Sequence, residues 1–237
     1  MGYYGYGIDI WYVLLVVPAF VLALWAQFKV KNTYKKYSAV RNSRGLTGAQ
    51  AAARVLFSHG INNVQIERVS GTLTDHFDPR ANVIRLSEGV YDSTSVAAVG
   101  IACHEAGHAV QYAKSYAPIR LRNAILPACN IGSKLGLPMA IFGLLLWSRT
   151  GLGEYLFWIG LLLYALVAFF QLVTLPVEFN ASRRALQTID DGGMLAGDEY
   201  RGAKKVLTAA ALTYVAALAV SLANLLRLLL NAMNRKR

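Results

Sequence analysis

The chain has 237 residues, of which 55% are hydrophobic and 16% charged, whereas an ordinary soluble domain is about a quarter charged. This composition excludes a disordered chain, and a mean hydropathy of +0.38 points to lipid-facing surface. The 24 Lys and Arg against 13 Asp and Glu leave a net +11, which suits either a nucleic-acid surface or the cytoplasmic face of a membrane protein, so the location of the charges decides. Two cysteines without CxxC spacing, Cys103 and Cys129, make no disulfide framework, and a reducing compartment or two buried thiols is expected.

Residues 8–28 hold a single charge, Asp9, and no glycine, with Trp11, Tyr12 and Trp25 near the two ends where aromatic belts belong. At about 1.5 Å per residue this run covers the roughly 30 Å hydrocarbon core. The basic cluster follows the run instead of preceding it, so the segment reads as an uncleaved anchor and not as a signal peptide. Lys29, Lys31, Lys35, Lys36, Arg41 and Arg44 come next, with no acid between Asp9 and Glu67, which places this side in the cytoplasm and the N-terminus outside.

Thr47 and Gln50 form a capping-box pattern ahead of a short helix that Gly60 stops. Apolar and polar residues alternate around Val64 and Ile66 and again over 83–86, predicting two or three short strands, with 82–87 as an edge that a substrate backbone could join. Ser93 or Ser95 caps a helix of about twenty residues that ends before Pro118. Further hydrophobic stretches cover 124–147, 155–177 and 206–230. Only the short turn 148–154 separates the first two of these, so they form a helical hairpin, and the segments 29–120 and 176–205 emerge on one side. These hold 17 of the 24 Lys and Arg, with no groove-reading element, which turns the positive charge into an orientation signal and sets nucleic acid aside. Full crossing by the last stretch would leave Arg235, Lys236 and Arg237 outside, against the charge rule, so whether it spans stays open. Lys134 and Arg227, inside apolar runs, either snorkel or face the bundle. Gly132 and Gly136 make a GxxxG that permits close helix packing.

The chemistry sits in His104, Glu105, Ala106, Gly107 and His108. On a helix the two imidazoles, four residues apart, share a face and can hold one metal ion, while Glu105 lies about 100° around, within reach of a water on that metal. With four His and six Glu in the chain, HExxH would arise by chance about 0.002 times. Two buried structural histidines would also leave Glu105 buried without a cation. Neutral imidazole suits zinc, whose catalytic sites have three protein ligands and an open position. No histidine follows His108, so the third ligand is a carboxylate, Glu178 in LPVEFNASRRAL or Asp191 in IDDGG. The latter is similar to the LDG ending of site-2 intramembrane proteases, but its polar surroundings, 182–205, suit a turn outside the membrane. Glu178 follows the third span on the side of the HExxH helix and is favoured.

HEAGH with a downstream glutamate resembles the gluzincins. DHFDPRANVIRLS, AAVGIACHEAGHAVQ, LPVEFNASRRAL and KKVLTAAALTYVAAL together resemble the YugP-like bacterial membrane zinc metallopeptidases, neutral zinc metallopeptidases distantly similar to the HtpX-like proteases. The resemblance covers roughly 47–218. It implies a multi-pass zinc metalloendopeptidase of the bacterial cytoplasmic membrane with its site on the cytosolic side, His104, His108 and Glu178 as zinc ligands and Glu105 as general base. Gluzincins often carry an aspartate four residues after the ligand glutamate to orient a ligand histidine. Here Ser182 stands there, with Asn180 nearby, so the acceptor is one of these two.

The expected fold is a mainly α integral membrane protein, with about four transmembrane helices and a small cytosolic α+β zincin-like region containing a short sheet. The expected divisions are an anchor at 1–30, the zincin-like region at 31–120, the hairpin at 121–177, a cytosolic segment with the third ligand at 178–205, and a last helix with a basic tail at 206–237. Expected partners are the lipid bilayer and protein or peptide substrates, membrane proteins included. A donor for the oxyanion is sought among His76, Arg183, Arg184, Tyr200 and Tyr214, and the sequence does not choose. The competing readings are a site-2-like protease using Asp191 and a non-proteolytic, zinc-stabilised scaffold or chaperone, against which the presence of Glu105 argues.

Overall fold

In a computed structural model, residues 9–147 and 151–235 are described. Residues 148–150, part of the expected hairpin turn, and Lys236 and Arg237 of the basic tail lie outside them. A π-helical stretch, Tyr12–Val16, leads into α1 (Val17–Ser38), followed by α2 (Gly48–Ser58), β1 (Gln65–Val69), β2 (His76–Asp78) and β3 (Val83–Ser87). The chain continues through α3 (Glu88–Tyr91), α4 (Val96–Ala113), α5 (Ala117–Leu146), α6 (Gly151–Asp191) and α7 (Gly197–Arg235). Among the described residues, four helices are long and apolar enough to cross a bilayer: Tyr12–Ser38, α5, α6, and α7 as far as Asn234. The mainly α membrane architecture with a small sheet is therefore as expected.

The chain divides into two units. One draws on the sequence up to Ala26, on Leu121–Leu175 and on the stretch from Thr213 onward. Within it α5 and α6 meet along a stripe of glycines. A Cβ at Gly132, Gly136 or Gly143 would fall 2.5 Å from the carbonyl oxygen of Leu163, 2.8 Å from the nitrogen of Tyr164 or 2.3 Å from that of Phe157. Small residues let two backbones approach where no hydrophobic effect drives helices together. The GxxxG of Gly132 and Gly136 thus serves a contact inside the chain. Arg227 does not snorkel: its Nε donates to Asp9 Oδ2 at 2.6 Å, Asn231 donates to the same oxygen at 2.9 Å, and the guanidinium lies over the Tyr12 ring. A carboxylate from the first apolar run and a cation from the last neutralise one another. Lys134 is exposed.

The other unit comprises Gln27–Arg120 and Pro176–Leu212. Thr47 caps α2 in a full capping box, and Gly60 follows the helix at φ +71°. Ser95, not Ser93, caps α4, its side chain accepting from the Ala98 amide. The sheet order is β1-β3-β2, with β1 parallel and β2 antiparallel to β3. The expectation that 82–87 is an edge is corrected: β3 is central, and four of its five residues are buried, because it packs on both sides. Its free end beyond β2 is closed by Asp75, which accepts from both the amide and the hydroxyl of Ser87. Burial pushes the Asp75 carboxyl up, against the pull of those bonds. On the next strand the hydrogen bond from Arg85 holds Asp78 at about 2.

Helix α6 runs well past the hydrophobic stretch that announces it. Val177, Ala181, Ala185 and Ile189 recur every fourth residue and are fully buried, so 178–191 continues as an amphipathic helix whose polar face hides it from hydropathy. The core joins Ala185 and Ile189 to the apolar sides of α2, α4 and β3, and the free thiol of Cys103 lies in it, pushed up by burial.

Asn42 staples the entry to this unit. Its Nδ2 donates to the carbonyls of Leu46 and Thr94 at 2.8 and 2.6 Å, and its Oδ1 accepts from the Leu46 amide at 2.9 Å. Leaving such buried groups unpaired costs about 1–3 kcal/mol. Asn42→Leu should therefore lower the unfolding midpoint of the detergent-purified protein, measured by thermal denaturation, without altering the number of metal ions it can hold.

Candidate metal centre

Helix α4 is buried on most of its circumference, and His104 and His108 emerge from that apolar surface one turn apart, their ring centroids 4.7 Å from each other. Glu178, 3% exposed, faces both from α6: its Oε2 lies 3.3 Å from His104 Nε2 and 3.6 Å from His108 Nε2. The close approach has a backbone cause. A Cβ at Gly107 would sit 2.7 Å from the carbonyl oxygen of Ala181, so the residue just before His108 has to be glycine for α6 to come this near. Among the described residues, His104, His108 and Glu178 form the group whose ligand atoms, all within 4.8 Å of one another, could hold a metal.

Hydrogen bonds on the far side of each ring orient these donors. His108 Nδ1 lies 3.0 Å from Gln111 Oε1. The roles follow by elimination along the chain of contacts. Arg184, which can only donate, gives its Nε–H to Asn180 Oδ1 at 2.8 Å, so that atom is an acceptor. Gln111 Nε2 donates to the same oxygen at 3.0 Å and to the Val177 carbonyl at 2.8 Å, which turns the amide oxygen toward His108. His108 Nδ1 must then carry the proton, and Nε2 presents its lone pair. At His104 the Nδ1 meets Ser182 Oγ at 3.1 Å. Of the two expected acceptors, Ser182 serves His104 directly, while Asn180 acts on His108 through Gln111. Sequence reasoning missed Gln111, although it stands three residues after His108, on the same helix face.

Two imidazole nitrogens and a carboxylate oxygen converge on one buried point, a set of ligand atoms that fits a cation. Two ligands each about 2.1 Å from a tetrahedral zinc stand about 3.4 Å apart, and the separations of 3.3 and 3.6 Å match. For the metal-free His108, burial opposes protonation, but the carboxylates of Glu178 and Glu105 outweigh it and hold the imidazole above its ordinary value, so proton and metal compete there. Glu105, 9% exposed, sits on the same helix as both imidazoles.

The remaining candidates separate. Asp191 ends α6 thirteen residues beyond Glu178, about 20 Å along the helix, and is not brought to the two histidines. It lines a different cavity with Arg54, Lys114 and Arg184. Arg183 and Tyr200 share a cavity of about 620 Å³ with Ser182. His76 lies exposed on β2, its Nδ1 bonded to the Thr74 carbonyl at 2.8 Å, and Tyr214 belongs to the other unit.

The family model described as "Putative neutral zinc metallopeptidase" matches residues 12–233. The chain is 47% identical over 223 residues to the "Putative membrane protease YugP" of Bacillus subtilis (strain 168), an alignment covering 94% of this chain and 97% of that protein. No solved structure matches significantly.

Removal of a group that orients a ligand histidine typically weakens metal binding by about 10–100-fold. Gln111→Leu should weaken zinc binding by that order in a chelator competition, with Arg184→Leu shifting it in the same direction by less.

Proposed function

Since the chain belongs to the neutral zinc metallopeptidase family, we propose that it is a membrane-embedded zinc endopeptidase, with His104, His108 and Glu178 as metal ligands and Glu105 as general base. The observation that carries this reading is the convergence of two imidazole lone pairs and one carboxylate oxygen beside a second carboxylate, all on two packed helices. When bound, zinc supplies a Lewis acid that polarises a peptide carbonyl and acidifies water to a pKa of about 7.

The chain's own residues do the rest. Glu105 takes the proton from the attacking water and returns it to the leaving amine. Gln111 and Ser182 hold the imidazoles so that Nε2, not Nδ1, faces Glu178 Oε2, and these three atoms would hold the zinc. Arg183 and Tyr200, which share a cavity with Ser182, are the candidate donors for the oxyanion.

Glu105→Gln should keep zinc at the wild-type ratio, read by metal analysis of the purified protein, and abolish cleavage of casein or a membrane-protein substrate. Undiminished cleavage by that variant would refute the role of Glu105, and loss of zinc would reassign it as a ligand. Glu178→Ala should lose zinc, whereas Asp191→Ala should retain it.

The basic run from Lys29 to Arg44 supports a site on the cytosolic side. An impermeant thiol reagent should then modify a cysteine placed at Ser58 in inside-out vesicles and spare it in intact cells.

A further inference from the structure

Beyond the metal centre, the second unit contains a basic groove that the peptidase reading does not use. The segment of α1 from Lys29 to Tyr37 and the segment of α7 from Arg201 to Ala209 line one cavity of about 690 Å³. The residues contributed by the two helices have the same spacing, at positions 0, 3, 4, 7 and 8, which is one face of a helix in each case. Five cations border the cavity, Lys29 and Lys36 from α1 and Arg201, Lys204 and Lys205 from α7, and no carboxylate lines it. Arg201 is bound at the rim by Asp198, and Lys36 lies over the Tyr37 ring. Among the described residues, Lys204 and Lys205 have no acidic partner. Asn32 and Thr33 add neutral donors to the same walls, while the Thr208 hydroxyl donates to the Lys204 carbonyl at 2.7 Å.

Five exposed like charges gathered around one open space make it attractive to an anion. Position along the chain indicates which anion. Lys29 directly follows the apolar run that ends at Phe28, and Lys205 directly precedes the one that begins at Val206, so both walls stand where a span gives way to polar sequence, at the level of lipid headgroups. Carbon makes up most of the lining, which suits the glycerol and first methylenes of a lipid and offers nothing to a free phosphate. We propose that this groove binds the phosphodiester headgroup of an anionic phospholipid, coordinated from both walls by lysine and capped by hydroxyl and amide donors. The proposal stands apart from the peptidase reading: an inactive protein with the lipid preference would leave it intact.

The test uses the full chain in neutral detergent, with thermal unfolding followed at matched phosphate concentration in phosphatidylglycerol, phosphatidylcholine or inorganic phosphate. Phosphatidylglycerol should raise the midpoint of the wild type, and the other two should not. K36Q/K205Q, one change on each wall, should bind it at least tenfold more weakly, and K36R/K205R should restore the response. R54Q/K114Q removes the same charge elsewhere in this unit and should respond like the wild type. A wild-type response from K36Q/K205Q, an equal loss in R54Q/K114Q, or stabilisation by inorganic phosphate as large as by the lipid would each overturn the proposal. If K36Q/K205Q does not fold, phosphorus analysis of the lipid retained by K205Q alone decides in the same way: wild-type retention overturns the proposal, and depletion supports it.

Discussion

The site depends on three acceptors being forced together where water does not separate them. Two imidazole nitrogens and a carboxylate oxygen, 3.3 and 3.6 Å apart, would repel or demand protons if nothing positive lay between them. Their proximity reflects helix packing. It requires α4 and α6 to touch backbone to backbone at Gly107, and it requires each ring to be held from behind. Where gluzincins often use an aspartate, this protein sets Ser182 against His104, and it holds His108 with a neutral amide whose own orientation is set two contacts away by Arg184. A neutral acceptor raises imidazole basicity less than a carboxylate does, and the guanidinium at the end of the relay draws electron density further from the ring. The geometry is thus kept with little of the negative charge.

The same helix does two kinds of work along its length. As far as Leu175, α6 contributes to the glycine-lined hairpin; from Pro176 onward it belongs to the unit with the sheet and supplies Glu178, Asn180, Ser182 and Arg184. Four residues that shape the metal centre therefore lie within two turns of one helix, and their spacing, not a loop, fixes their mutual positions.

Much of this was legible beforehand, for identifiable reasons. Apolar runs of more than twenty residues with at most one charge each announced the spans, the Thr47 and Gln50 pattern announced α2, and the short interval after the second span put Glu178 on the side of His104 and His108. What escaped depended on contacts between elements. Gln111 reads as an ordinary polar residue until α6 brings Val177 and Asn180 to its amide, and Gly107 reads as a weak helix former until Ala181 is placed against it. The alternation in 83–87 marked a strand but could not reveal that partners lie on both sides. Hydropathy ended α6 too early because an amphipathic face averages to polar.

The pairing of Asp9 with Arg227 joins residues separated by 218 positions. A chain made from its N-terminus commits Asp9 to the membrane region before its counter-charge has been synthesised. Until α7 is complete, the first helix carries a carboxylate whose neutralisation depends on the last. The final helix therefore supplies the counter-charge of the first. A truncated product, whatever its metal site, would expose an uncompensated acid to the quality control of the membrane.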